Sequence, residues 1–298
     1  MGFCRYLPSD SPGGVDVTAR VSRVTVPRLG PVRAATVITA DLAQSIAIYG
    51  EHLHLPVQSQ GRFDEREAGD LGWAPLAGAP CAWLGNALGE PWLRLLEHRD
   101  AARTRPFERF GWLSLEIAVQ AVDVLGEALV DSPFEVIGPP ADLAMSDAIR
   151  AMQVTGPSGE VLYLTEVKHP LPPFELPRAR CPVDRLFIAV MTCPDREAAL
   201  AHYAALSGNE GLRFDTQITV VSAARGLDKA HAHPVATLQL GGATLIEIDQ
   251  VDGLAPAPFG ATGPPTGIAL IHFAHPAPPH RHGCGAAGER YELIPTRP

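Results

Sequence analysis

The sequence has little that would carry it into a membrane or onto a polyanion. No apolar run approaches the ~18–20 uninterrupted residues that a bilayer span requires. The first residues, Met1–Gly14, lack the basic start and apolar stretch of a secretory signal, so a cytoplasmic location is expected. Lys and Arg number 24 against 33 Asp and Glu, a net charge of −9, and no basic run interrupts that excess. Nucleic acids and anionic membranes both select a basic footprint, so neither is expected as a partner. Cysteine is scarce and scattered: Cys4, Cys81, Cys181, Cys193 and Cys284 form no CxxC pair and no framework spacing, which fits reduced thiols.

What is present suffices for two ordinary cores: 298 residues, 46% of them apolar. Residues 1–30, rich in Pro, Gly and Ser, read as an arm with a strand at Val21–Val26. The β-branched run Val32–Thr39 then reads as a strand, Asp41 as a helix N-cap, and Leu42, Ile46 and Tyr49 as the apolar stripe of the helix it opens. Strands are expected at Val57–Gln60, Cys81–Leu84 and Trp92–Glu97. The order then repeats. Trp112–Val119 is a strand, a helix opens between Gln120 and Asp123, and strands follow at Phe134–Ile137, Ile149–Thr155 and Val161–Val167. A proline-rich stretch, Lys168–Pro182, reads as a linker, because each proline removes a backbone donor and restricts its neighbour. Beyond it come a strand at Arg185–Thr192, an N-cap at Asp195 and a helix over Arg196–Leu206. Strands at Gln217–Ser222, Val235–Leu240 and Ala243–Asp249 complete this third unit, and Gly267–Ala274 and Arg290–Pro295 bound a fourth.

Equivalent positions in the two halves keep a nearly constant offset. Ala34 and Ile188, Arg94 and Glu247, and Trp112 and Ile268 stand 153–156 residues apart, whereas Tyr163 and Glu292 stand only 129 apart. The near-agreement implies duplication, and the shortfall places a deletion inside the fourth unit.

The strand–Asp–helix start ATVITADLAQSIAIY (Ala35–Tyr49) and the closing hairpin AMQVTGPSGEVLYLTEV (Ala151–Val167) resemble the vicinal oxygen chelate superfamily. That superfamily includes glyoxalases, extradiol dioxygenases, methylmalonyl-CoA epimerases and bleomycin-resistance proteins; Gly156 stands where its turn usually carries Asp. The resemblance implies an α+β fold of tandem βαβββ units forming two paired half-barrel domains, the fourth unit truncated. Applied to the chain, it gives an arm over 1–30, an N-terminal domain of two units over 31–168, a linker over 169–182 and a C-terminal domain over 183–298.

Members of this superfamily that use a metal place a ligand, usually His, about seven residues before the start of each unit's helix, and a Glu on its last strand. The first-strand places fall on Ala34, Trp112 (or Glu116, if the helix opens at Asp123), Ile188 and Ile268. The last-strand places fall on Arg94, Tyr163, Glu247 and Glu292. The N-terminal half departs from the metal pattern throughout, so no metal and no other cofactor is expected there. An alternative divalent site for Fe(II), Mn(II) or Zn(II) would combine Glu247, His272 and Glu292, with His272 entering from a shifted position. Without a metal, His272 is expected to be protonated and paired with a carboxylate, its pKa raised.

Glu116 is a carboxylate in an otherwise apolar strand, costly unless paired or poised for function. With Arg94 and Tyr163 it forms the candidate catalytic set: Arg94 to hold a substrate carboxylate or carbonyl, Glu116 to move a proton, Tyr163 to donate a hydrogen bond. Trp112, Thr36 and Ser114 are candidate substrate-binding residues. His275, His280 and His282, in a proline-rich segment, are expected to be solvated, and Cys284 has no positioned base. These residues point to an enzyme acting on a small oxygenated molecule by proton transfer or oxyanion stabilisation, with lyase or isomerase chemistry ahead of dioxygenase chemistry. Two alternatives stand beside it: a metal-dependent extradiol-type ring-cleaving dioxygenase, and a non-catalytic resistance-type protein that sequesters a compound. A homodimer is compatible with each.

Overall fold

The computed structural model describes residues 29–143, 146–256, 263–276 and 281–295. The N-terminal arm, but for its last two positions, and the strand expected at Val21–Val26 lie outside them. The first unit comprises β1 (Val32–Thr39), α1 (Leu42–His52), β2 (Val57–Arg62), α2 (Glu65–Leu71), β3 (Pro80–Gly85) and β4 (Pro91–Glu97). The second comprises β5 (Gly111–Val119), α3 (Val122–Leu129), β6 (Glu135–Leu143), β7 (Ser146–Thr155) and β8 (Val161–Val167). The third holds β9 (Val183–Cys193), α4 (Arg196–Ser207), β10 (Leu212–Gln217), α5 (Thr219–Ala224), β11 (Ala232–Leu240) and β12 (Thr244–Gln250). The fourth retains β13 (Gly267–His275), β14 (Arg281–Cys284) and β15 (Arg290–Pro295), without a helix among its described residues. No helix among the described residues is long and apolar enough to cross a membrane.

Local chemistry sets the repeat. Asp41 accepts from Gln44 N at 2.9 Å, and Asp195 from Glu197 N and Ala198 N at 2.9 and 3.1 Å, so α1 and α4 start on the same cap. Three units close with a Gly-Glu pair just before the last strand, the glycines at φ 81° (Gly89), 86° (Gly159) and 89° (Gly288). Only glycine adopts that turn without strain, and at Gly159 a Cβ would also stand 2.5 Å from the Thr104 carbonyl oxygen.

One element differs in kind from the sequence expectation. Gln217–Ser222, expected as a strand, is mostly helix α5, and the strand is the preceding Leu212–Gln217. The β-branched run misleads because Val220 and Val221 are buried as a helical face against Phe107, Leu113 and Val161. The true strand lies at a sheet edge with nearly every side chain exposed, so it needs no apolar alternation.

Among the described residues the strands form a seven-stranded sheet, β14-β15-β13-β1-β4-β3-β2, and an eight-stranded sheet, β10-β11-β12-β9-β5-β8-β7-β6. The half-barrels therefore pair the first unit with the fourth and the second with the third, across antiparallel β1–β13 and β5–β9 seams. The proline-rich stretch joins β8 to β9 within one sheet, and Phe174, Leu176 and Ala179 from it pack on Phe187, Ile188, Val190 and Leu245. Side-chain alternation separates two environments. Ala35, Val37, Leu93 and Leu95 of the first sheet join Leu115, Ile117, Leu162, Met191 and Ile248 of the second in one core, with α1, α3 and α4. The alternate residues face a hollow on each sheet. The first is covered by Phe63, Leu71, Trp73 and Leu76 around α2, the second by Val220 and Val221 of α5.

Candidate functional site

Register places a four-residue centre in each hollow. Beside each last-strand residue stands a first-strand partner: Thr36 by Arg94, Glu116 by Tyr163, Val190 by Glu247 and His272 by Glu292. These partners lie two or four residues beyond Ala34, Trp112, Ile188 and Ile268, the positions reached by counting back from the helices. The first hollow thus centres on Thr36, Arg94, His272 and Glu292, the second on Glu116, Tyr163, Val190 and Glu247.

In the first hollow the polar groups satisfy one another. Arg94 Nε donates to Thr36 Oγ1 at 2.8 Å, and Thr36 Oγ1 lies 2.7 Å from His272 Nε2. His272 Nδ1 lies 2.5 Å from Glu292 Oε2. A neutral imidazole fits this chain, accepting the threonine proton at Nε2 and donating from Nδ1. Burial pushes the His272 pKa below its ordinary value, more than the Glu292 hydrogen bond raises it. The expectation of a raised pKa and a protonated His272 is overturned: the ring is fully buried, and desolvation disfavours its charged form. Arg94 also grips Glu67 of α2 with Nη1 and Nη2 at 3.0 and 2.6 Å, between the rings of Phe63 and Trp83 at 5.1 and 5.3 Å.

The second hollow is acid. Thr165 Oγ1 donates to Glu116 Oε1 at 2.7 Å. Burial foremost, and then repulsion from Glu247, raise the Glu116 pKa from an ordinary 4.5 to about 8. Burial raises Glu247, and burial together with Glu247 raises Asp249 well above the carboxylate range. Tyr163 is raised by burial and by the three acids together. No cationic group contributes to any of these shifts. Asp249 Oδ1, Ser114 Oγ and Thr237 Oγ1 are buried without a hydrogen-bond partner, while Glu116, Tyr163 and Glu247 are half-buried.

The candidate catalytic set is therefore divided. Glu116 and Tyr163 are neighbours in the second sheet, whereas Arg94 lies in the first, its charge taken by Glu67. The alternative metal set is divided as well, Glu247 standing on the second sheet and His272 with Glu292 on the first. Thr36 belongs to the Arg94 network, and Ser114 to the second hollow through its register with Val190, itself opposite Glu247. Trp112 walls neither hollow. A register shift between Trp112 and Ser114 turns its ring into the core between the sheets, where Nε1 donates to Arg290 O at 2.7 Å and the ring centroid lies 6.2 Å from those of Tyr203 and Phe273. His282, expected to be solvated, sits on β14 opposite Glu292 with its side chain 9% exposed.

Residues outside the sequence-based set complete both hollows. Asp249 follows Glu247 by two on one strand, and Thr165 follows Tyr163 likewise, so period-two alternation carries a signal for each. Glu67 sits in the first turn of α2, where Asp64 accepts from its backbone N at 2.9 Å. The Asp64–Glu67 spacing is a helix start that the loop-like composition of 62–80 conceals.

No protein-family model and no curated protein matches the sequence. Among solved structures, glyoxalase I from Zea mays superposes with a TM-score of 0.57 at 13% identity, covering 89% of this chain and 92% of that one. A proposed dioxygenase from Bacillus subtilis superposes with a TM-score of 0.59 at 12% identity, covering 91% of this chain and 86% of that one. At such identities the likeness is one of fold.

Proposed function

We propose that this chain, whose fold is that of the vicinal oxygen chelate superfamily, is an enzyme that moves a proton on a small carbonyl-bearing substrate in the acid hollow of the eight-stranded sheet. The observation that carries the reading is the Glu116–Tyr163–Glu247 group: two carboxyls of raised pKa and a phenol close enough to act on one another, with no counter-cation among the groups that act on them. Enzymes that separate acid and base roles do so by placing two titratable groups in environments that shift their pKa values. Here Glu116, at about 8, keeps its proton at neutral pH and donates a hydrogen bond, as does the Tyr163 hydroxyl. Both stabilise negative charge developing on a substrate oxygen. Glu247 is the base that takes the proton from the carbon beside that carbonyl and returns it to a neighbouring atom, an isomerisation. If a leaving group sits on the next carbon, the same enolate expels it, a lyase reaction.

A metal is not part of this step. Tyr163 and Val190 fill two of the four central places, and the acids Glu116, Glu247 and Asp249 do not bring three ligand atoms within 4.8 Å of one another. The acids also disfavour an anionic substrate, so the ligand is a neutral or cationic oxygenated molecule rather than the carboxylate that Arg94 was expected to hold. A panel of small enolisable carbonyl compounds, incubated with the protein in D2O, tests the reading. Deuterium should enter at the carbon beside the carbonyl, and Glu247→Gln should slow exchange by about 10²–10⁴-fold, the contribution typical of a positioned general base. Saturable binding of panel members without exchange would favour the sequestering protein instead.

A further inference from the structure

The first hollow carries a second, independent site. We infer that Glu67, His282 and Glu292 bind a divalent ion of the zinc class. One ligand atom from each of the three lies within 4.8 Å of the others, the group of this kind found among the described residues. Imidazole with carboxylates is a donor set suited to Zn(II) and its first-row neighbours, not to Ca(II) or Mg(II).

Two observations argue for a ligand rather than for a closed ion-pair cluster. His282 Nε2 is buried without a hydrogen-bond partner and points at Glu292 Oε1 from 3.6 Å, too far for a hydrogen bond and near the separation of two donors on one small cation. Each ligand also has a partner of its own. His272 holds the other oxygen of Glu292 at 2.5 Å, Arg94 holds Glu67 by two hydrogen bonds, and Asp70 Oδ2 stands 4.0 Å from His282 Nδ1. Hydrogen-bonded outer partners orient the two carboxylate ligands, and Asp70 lies beside the imidazole without a hydrogen bond to it.

Arg94 does not close the site. A carboxylate offers about four lone-pair positions on its two oxygens, so Glu67 retains acceptors after pairing with the guanidinium. Two carboxylates, Glu67 and Glu292, stand against the one guanidinium of Arg94 at this site. The ligands come from helix α2, edge strand β14 and strand β15, so an ion would fasten the truncated fourth unit to the helix of the first.

Titration of the chelator-stripped full chain with Co(II), read by visible absorption, and with Zn(II), read by calorimetry, tests the inference. One equivalent should bind, and the melting temperature should rise with Zn(II) concentration. His282→Gln should weaken binding at least tenfold while the stripped variant melts within a few degrees of the stripped parent, and Glu116→Gln should leave affinity unchanged. Absence of binding below about 100 µM, full affinity in His282→Gln, or loss of binding in Glu116→Gln would each overturn the assignment. The last outcome would place the ion in the other hollow and count against the metal-free reaction as well.

Discussion

Arg94 and Glu116 are both charged residues on inward strand faces, yet their surroundings give them opposite electrostatics. Arg94, 5% exposed, has a bidentate carboxylate and two aromatic faces, whereas Glu116 has one threonine and a second acid. Removing a partner from a largely buried pair strands the other charge. Arg94→Met should therefore destabilise the fold by about 2–4 kcal/mol in urea titrations, through Glu67 rather than through a lost substrate. Glu67→Gln in the same background should recover much of that loss. Glu116 behaves differently, because its folded pKa of about 8 lies above the unfolded value near 4.5. The native state then holds a proton that the unfolded chain has released. The stability contribution is full below about pH 4.5 and is lost as pH rises through 8. Glu116→Gln removes that slope. The variant should match the parent at pH 4 and exceed it by about 1–3 kcal/mol at pH 9, and an equal difference at both values would refute the assigned shift.

At the scale of elements, helices α1 and α4 each send a tyrosine into the closing turn of another unit. Tyr49 donates to Glu160, whose other oxygen accepts from Ser158 N at 2.9 Å; Tyr203 donates to Glu289 at 2.7 Å, whose other oxygen accepts from Ala287 N at 3.0 Å. Burial raises both carboxyls, Glu160 to about 7. Each bond ties a helix over one sheet to a hairpin of the other, so the duplication provides two equivalent clamps. Tyr49→Phe leaves Glu160 buried with one partner fewer and should cost about 1–3 kcal/mol by denaturant midpoint. Tyr203→Phe should cost a similar amount, and the double variant should show the sum, since the sites share no partner.

For the molecule as a whole, the pairing of the first unit with the fourth changes what the proline-rich stretch can be. Both sheets contain strands from before and after it, β1 to β4 with β13 to β15 in one and β5 to β8 with β9 to β12 in the other. A single core spans both. Cleavage within 169–182 should therefore leave the two fragments associated, eluting together under native conditions and separating only in denaturant. Unfolding of the intact chain should be one transition, with tryptophan fluorescence and far-ultraviolet dichroism coinciding. Fragments that part under native conditions would contradict the observed topology.

The sequence alone determined the local grammar: aspartate caps at Asp41 and Asp195, the strand–helix–strand order, the duplication and the shortened last unit. The caps and the order of elements are decided by neighbours within a few residues, where capping, side-chain period and glycine conformation act, and the duplication is read from the near-constant offset between the halves. Glu116, Tyr163, Glu247, His272 and Glu292 were also legible as strand residues of the wrong polarity for a core. Which of them meet was not legible, because strand pairing between units far apart in the chain leaves no trace in local period. Only the tertiary structure decided that Arg94 belongs with His272 and not with Glu116, that one bulge turns Trp112 into the core, and that Glu67 reaches the first hollow from a loop-like stretch. Desolvation, a property of the assembled hollow, then set His272 neutral and Glu116 protonated.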